Sequence, residues 1–292
     1  MRNSTVKKAA VRAAGLLFSL LLILGPFPAF SRNASAKEYT VVTNGLVSMY
    51  DGTNNTRSGH QGASTVWEDL VSDNDVTVVQ NDKNFFTKDA YRLSGTRHFF
   101  PRALLDLVNG REFTVELVLG AIYRTGSSFS TFVNNSGNDY FSLFLRSSGD
   151  YLEFKQSGSS SDRPKVSGGR ELAENSTVSI VRSLDAGTCL MYVDGVEVAS
   201  GPARAAIGAT GELFFGHNEA SRAHDAEYRG IRFYSRALSE EEIRNNARAD
   251  GHFDESHVPP RAYALPRQEK TNVIGGICYI LRANSDEKIA GL

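Results

Sequence analysis

Residues 227–249 read EYRGIRFYSRALSEEEIRNNARA, and the periodicity of the chain changes inside this stretch. Ile231, Arg232, Phe233 and Tyr234 alternate in the manner of a two-faced strand. Ser239 then stands three positions before Glu242, the spacing at which each side chain can satisfy a backbone N–H at a helix start. Arg244 and Arg248 follow where the helix dipole favours cations, and Gly251 can end the helix in a left-handed conformation. A short helix is predicted directly after a strand, in a chain whose remaining signal is almost wholly one of strands.

Towards the N-terminus the pattern is period two, broken by Gly, Asn, Asp and Ser clusters. Phe113, Val115, Leu117 and Leu119 fall on one face of a strand. Tyr140–Arg146 and Tyr151–Lys155 are separated by the hairpin connection Ser147–Asp150, and Ser176–Ser183 is a further strand. Cys189–Val193 and Val196–Ser200 flank Asp194-Gly195, a pair that readily takes the positive φ values of a type I′ turn. Gly211–Gly216 leads to the strand at Tyr228–Ser235, whereas residues 157–170 read as a polar loop. Many short strands, one terminal helix and no strand–helix–strand alternation predict an all-β antiparallel sandwich.

The two ends read differently. Arg2, Lys7, Lys8 and Arg12 precede an apolar run, Ala13–Leu24, and an Ala34-Ser35-Ala36 cleavage signal. Residues 1–36 are therefore read as a secretory signal peptide. The expected domain covers residues 37–253. Residues 254–292 open on Pro259-Pro260 and form a tail that is expected to be poorly ordered or to add one strand. The apolar patch Val273–Leu281 is too short to span a bilayer, which needs about 20 residues. Without the leader, 27 Lys+Arg face 33 Asp+Glu, a net charge of −6. That balance argues against a nucleic-acid partner, which would want clustered positive charge. Cys189 and Cys278 are expected to be two free thiols, and two cysteines so far apart cannot build a cysteine zinc site.

Several blocks resemble one family in order. Tyr234–Ile243 (YSRALSEEEI) resembles the closing block of bacterial laminin-G-like domains, which belong to the concanavalin A-like lectin/glucanase superfamily. Gly45–Gly52, followed by Asn54-Asn55-Thr56 and Ser58-Gly59-His60, is similar to their opening block. Thr65–Leu70 matches the T-x-W-x-D-L that follows, and Tyr192–Val196 looks like the family hairpin. The likeness spans about residues 45–250. It implies a concanavalin A-like jelly roll with one short C-terminal helix. It also implies a secreted or cell-surface binding module for a glycan or an extracellular protein. Two departures stand out. Val71–Asp75 lacks the usual glycine turn, and Arg229 stands near where some relatives place a calcium-binding carboxylate, so that it would repel a cation.

Sandwiches of this class also include glycoside hydrolases and lyases, and hydrolysis needs two carboxylates at a defined separation. No strand carries alternate acids in that pattern. Glu112 and Glu116 lie on one strand with no Asp between them, and Glu240–Glu242 are explained by the helix dipole. No catalytic residue is assigned. Asp51 and Asn54 form the best oxygen cluster and are the calcium candidates, although a turn bonded to its own backbone explains them as well. No other cofactor is implied. His217 and His224 are expected in a solvated loop, and Asp69 as a turn cap. Trp67 suits the core, and Tyr123, Phe129, Tyr140 and Tyr151 are possible ligand contacts. The expected function is non-catalytic binding. The alternatives are a hydrolase or lyase on the same fold and a purely structural surface domain. N-terminal mass spectrometry of exported protein should find a mature chain beginning near Lys37; an intact Met1 would overturn the leader reading.

Overall fold

The computed structural model describes residues 39–124, 128–146, 151–167, 175–253, 271–274 and 277–280. The segment read as a leader, the Ser147–Asp150 connection and most of the tail lie outside them. In chain order the strands begin with β1 (Leu46–Asp51), the short pair β2 (Val66–Trp67) and β3 (Val76–Thr77), and β4 (Phe85–Phe86). Next come β5 (Tyr91–Ser94), β6 (Arg97–Phe99), the helix α1 (Arg102–Val108) and β7 (Glu112–Arg124). The middle holds β8 (Phe129–Asn135), β9 (Ser142–Arg146), β10 (Tyr151–Lys155) and β11 (Lys165–Ser167). Then follow β12 (Ser176–Ser183), β13 (Thr188–Val193), β14 (Val196–Pro202) and β15 (Leu213–Gly216). Finally β16 (Asp225–Tyr234) leads into α2 (Glu240–Ala249). In the tail, β17 (Thr271–Ile274) pairs antiparallel with β18 (Ile277–Ile280).

The strands form two antiparallel sheets. One has the order β14-β13-β12-β7-β16-β5-β4, with β1 also on β16; the other runs β11-β10-β9-β8-β15-β6. β16 is long enough to seat two strands along one edge. Asp225–Tyr228 pairs with β5, and Gly230–Tyr234 pairs with β1. The core lies between the sheets and takes Phe113, Val115, Leu117 and Leu119 from β7, all buried as their alternation predicts. Trp67 is fully buried at an aromatic centre, 5.8 Å from Tyr50, 5.7 Å from Phe86 and 5.9 Å from Phe215 by ring centroids. Its indole N–H donates to the Asp51 carbonyl at 3.1 Å, so the single tryptophan buries its ring without stranding its polar atom.

Three expectations change. A second helix, α1, follows Pro101 and buries Leu104, Leu105 and Val108. At seven residues it carries too little periodicity to stand out from a strand. The polar stretch 157–170 contains β11, which pairs with β10 and whose composition carries no apolar alternation. The histidines of the His217–His224 loop are not solvated, although the loop tip is exposed: His224 is fully buried with its Nε2 2.9 Å from the Tyr228 hydroxyl, and His217 is 4% exposed. Asp194 and Gly195 take φ values of 52° and 77°, the turn that their pairing predicts.

The strand–helix corner is built as its sequence implies. Ser239 Oγ accepts from the Glu242 N–H, and a Glu242 carboxylate oxygen accepts from the Ser239 N–H at 2.9 Å. At the other end Gly251 has a φ of 75°; its N–H reaches Arg248 O at 3.0 Å, and His252 N–H reaches Ala247 O at 2.8 Å. This is a Schellman stop. The helix buries Ile243, Asn246 and Ala247, an i, i+3, i+4 face, against the outer surface of the larger sheet.

Beneath the helix lies a charged network with almost no access to water. Glu116, Arg232 and Asp250 meet there. Glu116 on β7 is directly opposite Arg232 on β16 and Ser179 on β12. One Glu116 oxygen accepts from Ser179 Oγ at 3.0 Å; the other accepts from Arg232 Nε at 2.7 Å and Asn246 Nδ2 at 2.9 Å. The remaining Arg232 nitrogens donate to the two Asp250 oxygens at 2.9 and 2.5 Å. Burial pushes the Glu116 pKa up and the Arg232 guanidinium pulls it back. Burial opposes the charge on Arg232, and Glu116 and Asp250 override it and raise its pKa. With three donors on one carboxylate, the ionised pair is the form that this geometry satisfies.

Three measurements test this corner. Ser239→Ala should cost about 0.5–2 kcal/mol in chemical denaturation. The Arg236 guanidinium, through a bidentate pair, lowers the Glu242 pKa from 4.5 to about 2. A depressed carboxylate stabilises fully above its unfolded value and ceases to do so as pH falls through the folded one. Stability should therefore fall between pH 4.5 and 2, and Glu242→Gln should flatten that slope. Glu116→Ala should be harsher, about 3–5 kcal/mol, because it leaves Arg232 buried beside one acid where two stood. A loss below about 1 kcal/mol would mean that the network does not hold the helix.

Candidate functional site

The candidates read from the sequence scatter over the molecule. The Asp51 carboxylate accepts from Thr53 N–H at 2.8 Å and from Asn54 Nδ2 at 3.3 Å. These are the bonds of a turn closed on itself. Asp51 also lines a cleft of about 310 Å³ with Asp89 and Arg229, beside the end of α2. Arg229 pairs with Asp89 at 3.3 Å, so this cleft already holds a cation of its own. Among the described residues, no three His, Cys, Asp or Glu side chains are grouped to hold a metal ion. Asp69 caps its turn, accepting from Met49 N–H at 2.9 Å and Val71 N–H at 3.0 Å. Glu112 accepts from Ser183 Oγ at 2.6 Å, and Glu116 is sealed in the network already described. Cys189 is a free, buried thiol, and burial pushes its pKa up to about 12, which makes it a poor nucleophile.

A different place gathers chemistry: the outer face of the smaller sheet. Phe141, just before β9, and Leu143 bracket Ser142 on the way into the core, so Ser142, Phe144 and Arg146 take the other face. On β8 a register shift between Thr131 and Val133 changes the phase. Phe132 and Val133 both enter the core, while Phe129 and Thr131 lie opposite Arg146 and Phe144. The bulge thus re-aims the start of β8 outward. Lys155 ends β10 on the same face, opposite Ser142.

The result is a cavity of about 130 Å³ with an aromatic wall and a cationic rim. Phe129 and Phe144 pack edge to face with centroids 5.2 Å apart, and the Arg146 guanidinium stands 5.2 Å from the Phe129 ring. Thr131 and Ser142 contribute hydroxyls. Asp139, held at a left-handed φ of 55°, gathers two cations: Lys155 Nζ at 2.9 Å and Arg222 Nη1 at 3.6 Å. Arg222 is delivered by the Gly216–Arg222 loop, whose carbonyls at Ser221 and Arg222 accept from Phe129 and Thr131 N–H groups at 2.9 and 3.0 Å. Arg163 completes the rim and pairs with Glu153 at 3.0 Å. Asp139 is shared by two cations and Arg222 also reaches Glu219 at 3.9 Å, so the rim sets charged donors beside hydroxyls and rings. Such a surface can stack on the apolar face of a ligand while donating hydrogen bonds to its oxygens.

Of the aromatic residues proposed as contacts, Phe129 lies in this cavity. Tyr123 is on the larger sheet, 53% exposed, with its hydroxyl on Glu227 at 2.7 Å. Sequence reading missed Phe144, Arg146 and Lys155, although the alternation within β9 and β10 marks them as outward. Asp139, Arg163 and Arg222 come from loops and carry no local signal.

A model of the concanavalin A-like lectin/glucanases superfamily, of laminin-G type, matches residues 95–244. None of the curated protein sequences matches this chain. Among solved structures, a Trypanosoma rangeli sialidase in complex with the inhibitor DANA is similar with a TM-score of 0.55 and 19% identity, over 71% of this chain. The binding domain of Botulinum neurotoxin DC is similar with a TM-score of 0.53. In its complex with rat synaptotagmin II the identity is 13% over 70% of this chain, and in its complex with SialylT it is 14% over 70%. This chain spans 33% of the sialidase and 52% and 51% of the two neurotoxin chains. At these identities the likeness is one of fold. The family match, which runs from β6 into α2 and covers just over half of the sequence, carries more: the chain belongs to the concanavalin A-like lectin/glucanases superfamily.

Proposed function

We propose that this is an exported, non-catalytic module that binds a glycan on the outer face of its smaller sheet. The observation that carries the reading is the cavity between Phe129, Phe144 and Lys155, where rings, hydroxyls and charged donors converge on one small volume. A sugar presents the complementary surface, a C–H face for a ring and hydroxyls for donors. The similar solved structures lend support: one is a sialidase bound to an inhibitor, and another is a toxin binding domain in complex with SialylT. The basic, apolar and Ala-Ser-Ala order of the leader supports an extracellular or cell-surface location. The strand carboxylates Glu112 and Glu116 are occupied by Ser183 and by the buried network, which favours binding over turnover.

A glycan array and titration with the hits should give saturable binding, with no release of reducing ends over the same concentrations. Phe129→Ala should weaken binding by about tenfold, since an aromatic contact contributes about 1 kcal/mol or more. Thr131→Val, which keeps volume and removes the hydroxyl, should weaken it without lowering the melting temperature appreciably. Reducing-end release that vanishes on substituting a single Asp or Glu would overturn the non-catalytic reading. Binding that is untouched by both variants would move the site elsewhere.

A further inference from the structure

The outer face of the smaller sheet continues past the cavity. Lys155, Ser142, Asn134, Phe214 and Phe99 stand directly opposite one another on β10, β9, β8, β15 and β6. Residues paired in this way share a face. The row crosses four inter-strand gaps, roughly 19 Å at the usual spacing. Its middle is floor, because Asn134 and Phe214 are 2% and 1% exposed. Over that floor lies the Arg97 guanidinium, 5.4 Å from the Phe214 centroid and 5.1 Å from that of Phe99. Phe99 packs edge-on against Phe214 at 5.8 Å and still leaves 37% of its surface open, unusual for so large an apolar side chain in this molecule. His217 joins the two ends. Its ring lies 5.6 Å from Phe214, and burial lowers its pKa while Glu219, Arg222, Arg97 and Asp139 all act on it. The groups that meet solvent along this path are Lys155 and Arg222 with the carboxylates Asp139 and Glu219 at one end, and Arg97 and Phe99 at the other.

The geometry points to a second subsite at Arg97 and Phe99, and so to an elongated, acidic glycan chain as the ligand class. The inference rests on the proposed glycan site and deepens it. Length follows from the span, because one sugar ring in the cavity cannot reach across the sheet. Acidity follows from charge. The mature chain is net negative, yet this face sets Lys155, Arg163 and Arg222 against Asp139, Glu153 and Glu219 and adds Arg97 over the rings. A cationic band on an acidic protein selects anionic ligands and makes binding sensitive to salt.

The test is a titration of the whole mature chain with three size ladders: oligogalacturonides, sulfated heparin-derived oligosaccharides and neutral galacto-oligosaccharides. Affinity for at least one acidic ladder should rise with length until the row is spanned and fall on adding salt. Phe99→Ala should weaken the longest ligands by about tenfold and leave the shortest unchanged. Lys155→Ala should weaken every length. Thermal melts of both variants report folding, and the unchanged short-chain affinity of Phe99→Ala is a second check. Tighter binding of the neutral ladder, with loss on Phe129→Ala, would overturn the acidic inference and leave the glycan module standing. An equal effect of Phe99→Ala at all lengths, or none, would overturn the second subsite. Binding by no ladder would overturn both readings.

Discussion

Everything at the C-terminal side of the larger sheet depends on one buried ion pair. Glu116 and Arg232 sit side by side with 0% and 3% of their side chains exposed, and Asp250 closes the arrangement from beyond the helix. Such a pair is costly to desolvate and repays the cost only if every donor and acceptor is matched. Here they are matched by elements distant in sequence. β12 gives Ser179, α2 gives Asn246, and Asn246 in turn accepts from Val42 N–H at 2.8 Å on the arm before β1. The strand, the helix and the N-terminal arm must therefore arrive together. A greasy contact would tolerate sliding of the helix over the sheet; this one has a single satisfied register.

The consequence is a division between the two outer faces. On the larger sheet, α2 seals the network and a small apolar cluster of Val181, Tyr192, Tyr234, Leu238 and Ile243. The face is consumed by stability. On the smaller sheet no helix of the described residues plays that part, and rings and cations fill the outward positions instead. The same alternation of side chains thus serves packing on one side of the molecule and leaves rings and cations facing outward on the other.

The two halves differ in how far they can be read from sequence. The capping box at Ser239, the turn at Asp194-Gly195 and the inward run from Phe113 to Leu119 are local patterns whose physics acts within a few residues, and each stands where it was expected. Arg232 sat in the most legible strand, yet its role needed Glu116 and Asp250, which only the sheet register brings near. The cavity was hidden for the same reason. Its walls come from adjacent strands, but its rim takes Asp139, Arg163 and Arg222 from loops with no periodicity. The bulge in β8, which turns Phe129 outward, has no signature in the residues that form it. Histidines in a polar loop look solvated until Phe132 and Tyr228 are placed around His224.

The pairing of β1 with β16 has a mechanical meaning. Leu46 lies opposite Tyr234, so the chain enters and leaves this ladder at the same end. Traction on the two flanks would open it like a zipper, one rung after another, instead of shearing all rungs at once. Unzipping geometries yield at low force, and the first resistance would come from Asn246, Arg236 and the helix they belong to or adjoin, which bind the arm at Val42 and Asn44 before the ladder is reached. Under such traction the helix would act as the latch of the sheet.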